Sequence, residues 1–191
     1  MIKKMIAFLL AALLLCTAAS LAEAEASFEE LLAAAEAGDA IAQSKVGVAY
    51  FTGSGVEQDL SAAYEWMLKA AGQNEVNSVY NVGVFCYFGY VAEADHTAAA
   101  DWFRKAADLG HARAMVNLAA MYRKGQGVDC DPEKAMELYL RAGESGEPAG
   151  YADLAAMYYH GDGVEQDYAE AYRYIDANRV STMKVIIDVD R

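Results

Sequence analysis

Apolar positions recur along this chain on two scales. Over short distances they fall three and four residues apart, as in Ala63, Trp66, Met67 and Ala70, which is the spacing of one face of an α-helix. Over longer distances the whole pattern returns every 36 residues without a gap. That shift aligns Gly38, Asn74, Gly110 and Gly146, and likewise Gly47, Gly83, Ala119 and Ala155. Tyr50, Cys86, Tyr122 and Tyr158 form a further column, as do Gly53, Gly89, Gly125 and Gly161. Asp59, Asp95, Asp131 and Asp167 follow, with Ala63, Ala99, Ala135 and Ala171 four residues on, then Trp66, Trp102, Leu138 and Tyr174. Such a chain is one supersecondary unit copied several times, each copy burying its apolar face against the next.

The columns predict elements. Residues 40–51 read as a short helix in which Ala42 and Gly47 let a partner helix approach. Glycine inside a helix costs roughly 1 kcal/mol against alanine, so its recurrence implies a packing reason. The polar stretches GSGVEQD at 53–59, GQGVDCD at 125–131 and GDGVEQD at 161–167 interrupt the helical pattern. Gly53 suits the left-handed end of a helix, Val56 is an apolar plug, and Asp59 is placed to cap a second helix over residues 60–71. Pro132 falls at a first helical position, and Asp167 with Glu170 has capping-box spacing. The second copy departs from this: FGYVAEAD at 88–95 carries Val91 where the others have glycine, so its loop is expected to turn differently. Ahead of the repeats, 27–37 reads as a capping helix opened by Ser27 and Glu30. The repeats themselves occupy 38–73, 74–109, 110–145 and 146–179. The remaining tail, 180–191, is rich in β-branched residues and predicts an irregular cap over the last hairpin or, failing that, a strand.

The first 22 residues follow another logic. Lys3 and Lys4 precede an unbroken apolar run from Met5 to Leu15, and small residues follow at Ala18, Ala19, Ser20 and Ala22. That order predicts a secretory signal peptide, cleaved within 22–26, and hence a periplasmic or secreted protein with no integral membrane segment afterwards. Leu15 stands where a lipidation motif before Cys16 would have a small residue, which argues against a lipid anchor.

Composition narrows the function. The chain is 55% hydrophobic with two prolines, enough for a real helical core. Its net charge of −13 becomes −15 once a leader with two lysines and no acids is removed. A clustered basic face of the kind nucleic acids require is therefore not expected. No phosphate-binding glycine loop, HExxH or CxxC is present. His96, His111 and His160 lack second ligands at metal spacing and read as solvated or capping residues. Ser181 to Lys184 spells SxxK, a pattern that can mark an acylating serine, but it stands in the unpatterned tail without companion motifs. No catalytic residue, metal or cofactor is expected.

The first copy, AxAQxxVGxxYxxGxGVxxDxxxAxxWxxKAA, resembles the Sel1-like repeat family, a relative of the tetratricopeptide repeats, and the likeness covers 38–179. It implies an all-α, right-handed α-solenoid of antiparallel helical hairpins whose first helices line a concave face. Carried over column by column, it implies groove positions at Phe51 and Thr52, Tyr80, Tyr87 and Phe88, Arg123 and Lys124, and Tyr159 and His160, with Arg113 nearby. Asn81 and Asn117 fall where related repeats hydrogen-bond a peptide backbone. An aromatic wall beside cations is the composition that dominates interface energetics, although the tyrosines could equally pack between hairpins. Some exported relatives staple each repeat with cysteine pairs and bind or hydrolyse β-lactams. Here the matching columns hold alanines such as Ala70 and Ala71, and only Cys86 and Cys130 remain after the leader. The expectation is thus a monomeric, non-enzymatic module holding a protein or peptide, with an acidic segment favoured by the cations. The alternatives are a secreted effector or regulator that binds an envelope or host receptor and, less favoured, a β-lactam-binding or β-lactam-hydrolysing protein.

Overall fold

The structure, a computed structural model, describes the backbone of residues 28–189 and the side chains of residues 28–179. The predicted leader, its cleavage site, Cys16 and the capping residue Ser27 lie outside the described residues. Nine helices and no strand are present among those residues. They are α1 over 28–36, α2 (Ala40–Thr52), α3 (Leu60–Gly72), α4 (Val76–Phe88), α5 (His96–Asp108), α6 (Ala112–Lys124), α7 (Pro132–Glu144), α8 (Pro148–His160) and α9 (Tyr168–Val189). The all-α hairpin architecture expected from the 36-residue period is therefore the observed one. The chain divides into two compact units, residues 1–75 and 76–191.

In the first unit α2 and α3 form an antiparallel hairpin. Ala35 of α1 joins Ala42 and Val46 of α2 in a buried cluster, flanked by Phe28, Leu31, Leu32, Tyr50 and Trp66. Phe28 meets Tyr50 edge to face with centroids 5.6 Å apart, a favoured aromatic geometry. The small column explains itself at Gly47: a Cβ there would come within 2.8 Å of Met67 Cγ and 3.2 Å of the Ala63 carbonyl oxygen.

In the second unit α4–α5, α6–α7 and α8–α9 are hairpins, and α5 and α7 each pack on the helix that follows. The alanine column is fully buried throughout, at Ala63, Ala99, Ala135 and Ala171. Gly83 leaves room for the Phe103 ring, whose Cδ1 and Cε1 would each lie 2.8 Å from a Cβ added there. Gly150 lies so close to the Tyr139 carbonyl and the Gly143 amide that no side chain fits between α8 and α7.

All four loops close on the same bond. The amides of Asp59, Asp95, Asp131 and Asp167 donate to the carbonyls of Tyr50, Cys86, Tyr122 and Tyr158 at 2.9–3.0 Å. Each aspartate then turns its carboxylate onto the first turn of the next helix, as at Asp59 with Ser61 and Ala62 and at Asp167 with Ala169 and Glu170. The second loop differs where expected. Gly55, Gly127 and Gly163 have φ of 71–75°, whereas Val91 is not among the left-handed residues. It nevertheless returns to the common closing bond. Between repeats, Gly38, Asn74, Gly110 and Gly146 are all left-handed; asparagine is the side chain best suited to replace glycine there.

The tail differs from expectation. Rather than an irregular cap or strand, the backbone after residue 179 continues α9 without a break to Val189. Propagation of a helix already running into the segment overrides the β preference of a run such as VIIDV.

Candidate functional site

The second unit brings the predicted aromatic positions together at the end of α4. Tyr87 and Phe88 touch edge to face at 5.1 Å, and Tyr87 also borders His96 at 5.0 Å and Phe103 at 6.4 Å. A cleft of about 120 Å³ opens here, lined by Tyr87, Phe88, Phe103 and Asn117. Its floor, Phe103, is fully buried, while its lip, Phe88, is 61% exposed. The divergent loop extends the lip: Tyr90 stacks on Phe88 at 5.5 Å, and Val91 beside it is exposed. Where the other loops hold glycine and a half-buried valine plug, this one presents aromatic and aliphatic groups to solvent.

Polar side chains rivet the walls of the cleft. Tyr87 donates its hydroxyl to Gln126 Oε1 at 3.1 Å, and Gln126 Nε2 lies 3.0 Å from His96 Nε2. Asn117 donates to the Tyr80 hydroxyl at 3.4 Å, and the Tyr80 ring stacks on His111 with centroids 4.3 Å apart. His111 in turn accepts the Ala114 amide at Nδ1 and so caps α6, the capping role considered for the histidines. Tyr80 and Asn117 thus pack and orient as much as they offer surface. Asn81 is half-buried on the same helix as Tyr80.

The cations behave differently from the expectation of a shared carboxylate receptor. Arg113 pairs with Glu147 at 3.2 Å, and Arg123 with Asp162 at 2.7 Å, in each case an acid of the next repeat. The Asp162 hydrogen bond raises the Arg123 pKa further, so this guanidinium stays protonated with a carboxylate of its own chain already beside it. Lys124 is exposed one residue on. Behind Arg123 lie Tyr139 and Asp153. Burial, helped by the Asp153 charge, pushes the Tyr139 phenol up to about 12, so it is a neutral hydroxyl at every ordinary pH. Burial likewise raises the Asp153 carboxyl above the ordinary range, with Arg123 and Lys124 pulling partly the other way.

Other predicted positions lie outside the residues that line the cleft. Tyr159 and His160 meet edge to face at 5.1 Å and border a shallow groove of about 290 Å³ between α8 and α9. Phe51, in the first unit, is half-buried and accepts the Gln58 side-chain amide at its carbonyl. Phe103, His96, Gln126 and Tyr90 were not among the predicted site residues. Tyr90 carried a legible signal, since its column otherwise holds Ser54, Gln126 and Asp162.

Cys86 and Cys130 carry no disulfide. Cys130 Sγ instead donates to the Arg123 carbonyl at 3.4 Å, as Gln58 and Gln166 do to Phe51 and Tyr159 in their own loops. No group of three or more His, Cys, Asp or Glu side chains is placed to hold a metal ion among the described residues. Nor is any described helix long and apolar enough to cross a membrane.

Repeated hairpins of equal length, identical closing bonds and small-residue helix contacts define a helical-hairpin repeat protein. The chain belongs to the Sel1 repeat family, whose pattern matches residues 40–75, 76–111, 112–147 and 148–175. Among solved structures it is similar to a protective antigen present in uropathogenic Escherichia coli strains, with 33% identity and a TM-score of 0.76. That match covers 80% of this chain and 32% of the other. It is also similar to a Sel1 repeat protein from Oxalobacter formigenes, with 30% identity and a TM-score of 0.77 over 82% of this chain and 62% of that one. An immunity protein from Pseudomonas aeruginosa shares the fold at 23% identity and a TM-score of 0.55, over 79% of this chain and 56% of that one. This chain thus spans less than two thirds of the length of each of these relatives. No curated protein sequence matches it.

Proposed function

We propose that this Sel1 repeat protein is an exported, non-enzymatic interaction module that holds a peptide or protein segment on the first-helix side of its second and third repeats. The observation that carries the reading is the cleft lined by Tyr87, Phe88, Phe103 and Asn117, with a lip of exposed Phe88, Tyr90 and Val91. A large exposed aromatic lip is unusual on a soluble surface and is the kind of group that anchors interfaces. The cleft has the size of one inserted side chain: engineered apolar cavities of about 150 Å³ accept a benzene ring. The segment is therefore anchored by an aromatic or branched aliphatic residue, and the paired Arg113 and Arg123 shape the groove more than they attract charge. Export is supported by the leader-like sequence of residues 1–22.

The test is selection of a displayed random peptide library on the purified protein, followed by affinity measurement of the enriched peptides. Peptides sharing one large apolar residue are expected, and Phe88→Ala should weaken them tenfold or more, roughly the 1.4 kcal/mol expected of an interface anchor. Arg123→Ala with Lys124→Ala should cost less than Phe88→Ala. No enrichment, or peptides indifferent to Phe88→Ala, would sink the reading.

A further inference from the structure

Three of the four repeats place an aromatic ring in one column, at Trp66, Trp102 and Tyr174, and the third repeat has Leu138 there. In the first repeat the ring has a defined seat. Trp66 packs, with Leu32 and Tyr50, against Ala35 and Val46, and the Lys69 ammonium lies 3.7 Å from its ring centroid. In the second, Lys105 stands over Trp102 at 5.5 Å. In the fourth, Tyr174 stacks on Tyr158 at 5.9 Å, with the Arg173 guanidinium 4.9 Å from its ring. In the third repeat the same columns enclose a pocket of about 190 Å³ instead. Arg104, Ala107, Leu118, Tyr122 and Leu138 line it at the positions that Leu32, Ala35, Val46, Tyr50 and Trp66 hold two repeats earlier. Arg141, in the column of Lys69 and Lys105, lines it too.

We infer that this pocket receives the side chain of a tryptophan carried by a partner chain. Among the described residues it shares no lining side chain with the aromatic cleft, so it is a second binding site. Its volume fits the ring: an engineered apolar cavity of about 150 Å³ accepts benzene, and about 190 Å³ takes a bicyclic group. Ala107, Leu118 and Leu138 are buried and supply an apolar floor. Tyr122 supplies a ring to stack on, as Tyr158 does for Tyr174. Arg141 supplies the cation that closes over the outer face, since guanidinium groups stack on aromatic rings. The exposed carboxylates of Asp108 and Glu137, also in the lining, are acceptors for an indole N–H, a bond that phenylalanine cannot make. Arg104 pairs with Asp101 and Lys134 with Asp131, so charge around the pocket largely cancels and the ring, rather than an ion, is selected. A partner chain is favoured over a free indole by the shape of the seat. Trp66 is itself only half-buried, so the place covers one face of a ring and leaves an edge for the backbone that carries it. A ring held on one side stays bound when the surface around it is also covered, which a protein supplies.

The experiment titrates N-acetyltryptophanamide, N-acetylphenylalaninamide and free indole into the isotope-labelled full chain, read by nuclear magnetic resonance shifts. N-acetyltryptophanamide is expected to bind with a dissociation constant on the order of a millimolar, the scale of one half-enclosed ring without its partner. It should bind several-fold more tightly than the phenylalanine counterpart, with shifts centred on Ala107, Leu118 and Leu138. Leu138→Trp puts the chain's own indole in the seat and should abolish binding, with helical circular dichroism unchanged and the melting temperature equal or higher. Arg141→Ala leaves the floor intact and should weaken binding about two- to fivefold. Phe88→Ala should change nothing, which separates this pocket from the cleft. Absence of shifts at these residues overturns the inference, as does equal binding of the two amides. Tighter binding of free indole than of N-acetyltryptophanamide overturns it as well, and so does wild-type affinity in both Leu138→Trp and Arg141→Ala.

Discussion

At Gly150 two opposing effects of one methyl group can be weighed. Alanine is the better helix former by roughly 1 kcal/mol, so on propensity alone Gly150→Ala should stabilise α8. The new Cβ would instead run into the Tyr139 carbonyl and the Gly143 amide, backbone atoms that cannot rotate away. Destabilisation is expected, visible as a lower denaturant midpoint. At Gly47 the obstacle includes the movable Met67 side chain, so Gly47→Leu should cost about 1–3 kcal/mol, the usual range for overpacking. Asp153 gives a titration. Its folded-state pKa is raised by burial, so the folded protein holds that proton more tightly than the unfolded chain does. Stability due to this group is therefore lost as pH climbs from the ordinary carboxylate range through the raised value. Asp153→Asn should raise the melting temperature relative to wild type above that window and leave little difference below it. The aromatic positions at the end of α4 were named through the family resemblance, column by column, and spacing alone would not have singled them out. The Arg113–Glu147 and Arg123–Asp162 pairs were not legible, because sequence spacing shows which residues share a face but not which charges meet across repeats.

At the scale of elements, each hairpin is held by a loop that does two jobs with one aspartate. Asp59 donates its amide to Tyr50 and accepts from Ser61 and Ala62 with its carboxylate. Asp59→Ala keeps the first bond and removes the second, so a loss of about 1 kcal/mol is expected in chemical unfolding. The capping aspartates, Pro132 and the left-handed Gly53 were all readable, since each is a local backbone requirement met by a specific residue type. His111 as the cap of α6 was only one of two readings for that residue, and Glu147 at the matching position makes no side-chain cap bond. The continuation of α9 was misread because local β preference was weighed without a helix already running into the segment.

For the molecule as a whole, chain periodicity carried the fold, but compartment and partner do not follow from periodicity. Mass spectrometry of the exported form should find an N-terminus near Glu23 or Glu25 and no acyl group at Cys16; an acylated Cys16 would replace a free protein with an anchored one. The interaction-module reading expects no turnover of nitrocefin by the pure protein. Measurable turnover would reopen the hydrolase alternative.

The uniform loop closure has a genetic consequence. Because every junction uses the same bond and the same cap, a block of 36 residues can be removed without creating a new kind of joint. Deleting residues 112–147 would run His111 directly into Pro148, bringing α5 against α8. Phe103 would then meet Gly150 where Tyr139 now does, and Gly163 would reach His96 as Gly127 does. Such a shortened chain is expected to remain helical and to unfold cooperatively, though less stably, for want of one interface. Excising 36 residues out of phase, from the middle of one helix to the middle of the next, should leave no folded protein. Length in this architecture is thus heritable in whole repeats, a grammar in which copying and excision rewrite the binding surface while preserving the fold.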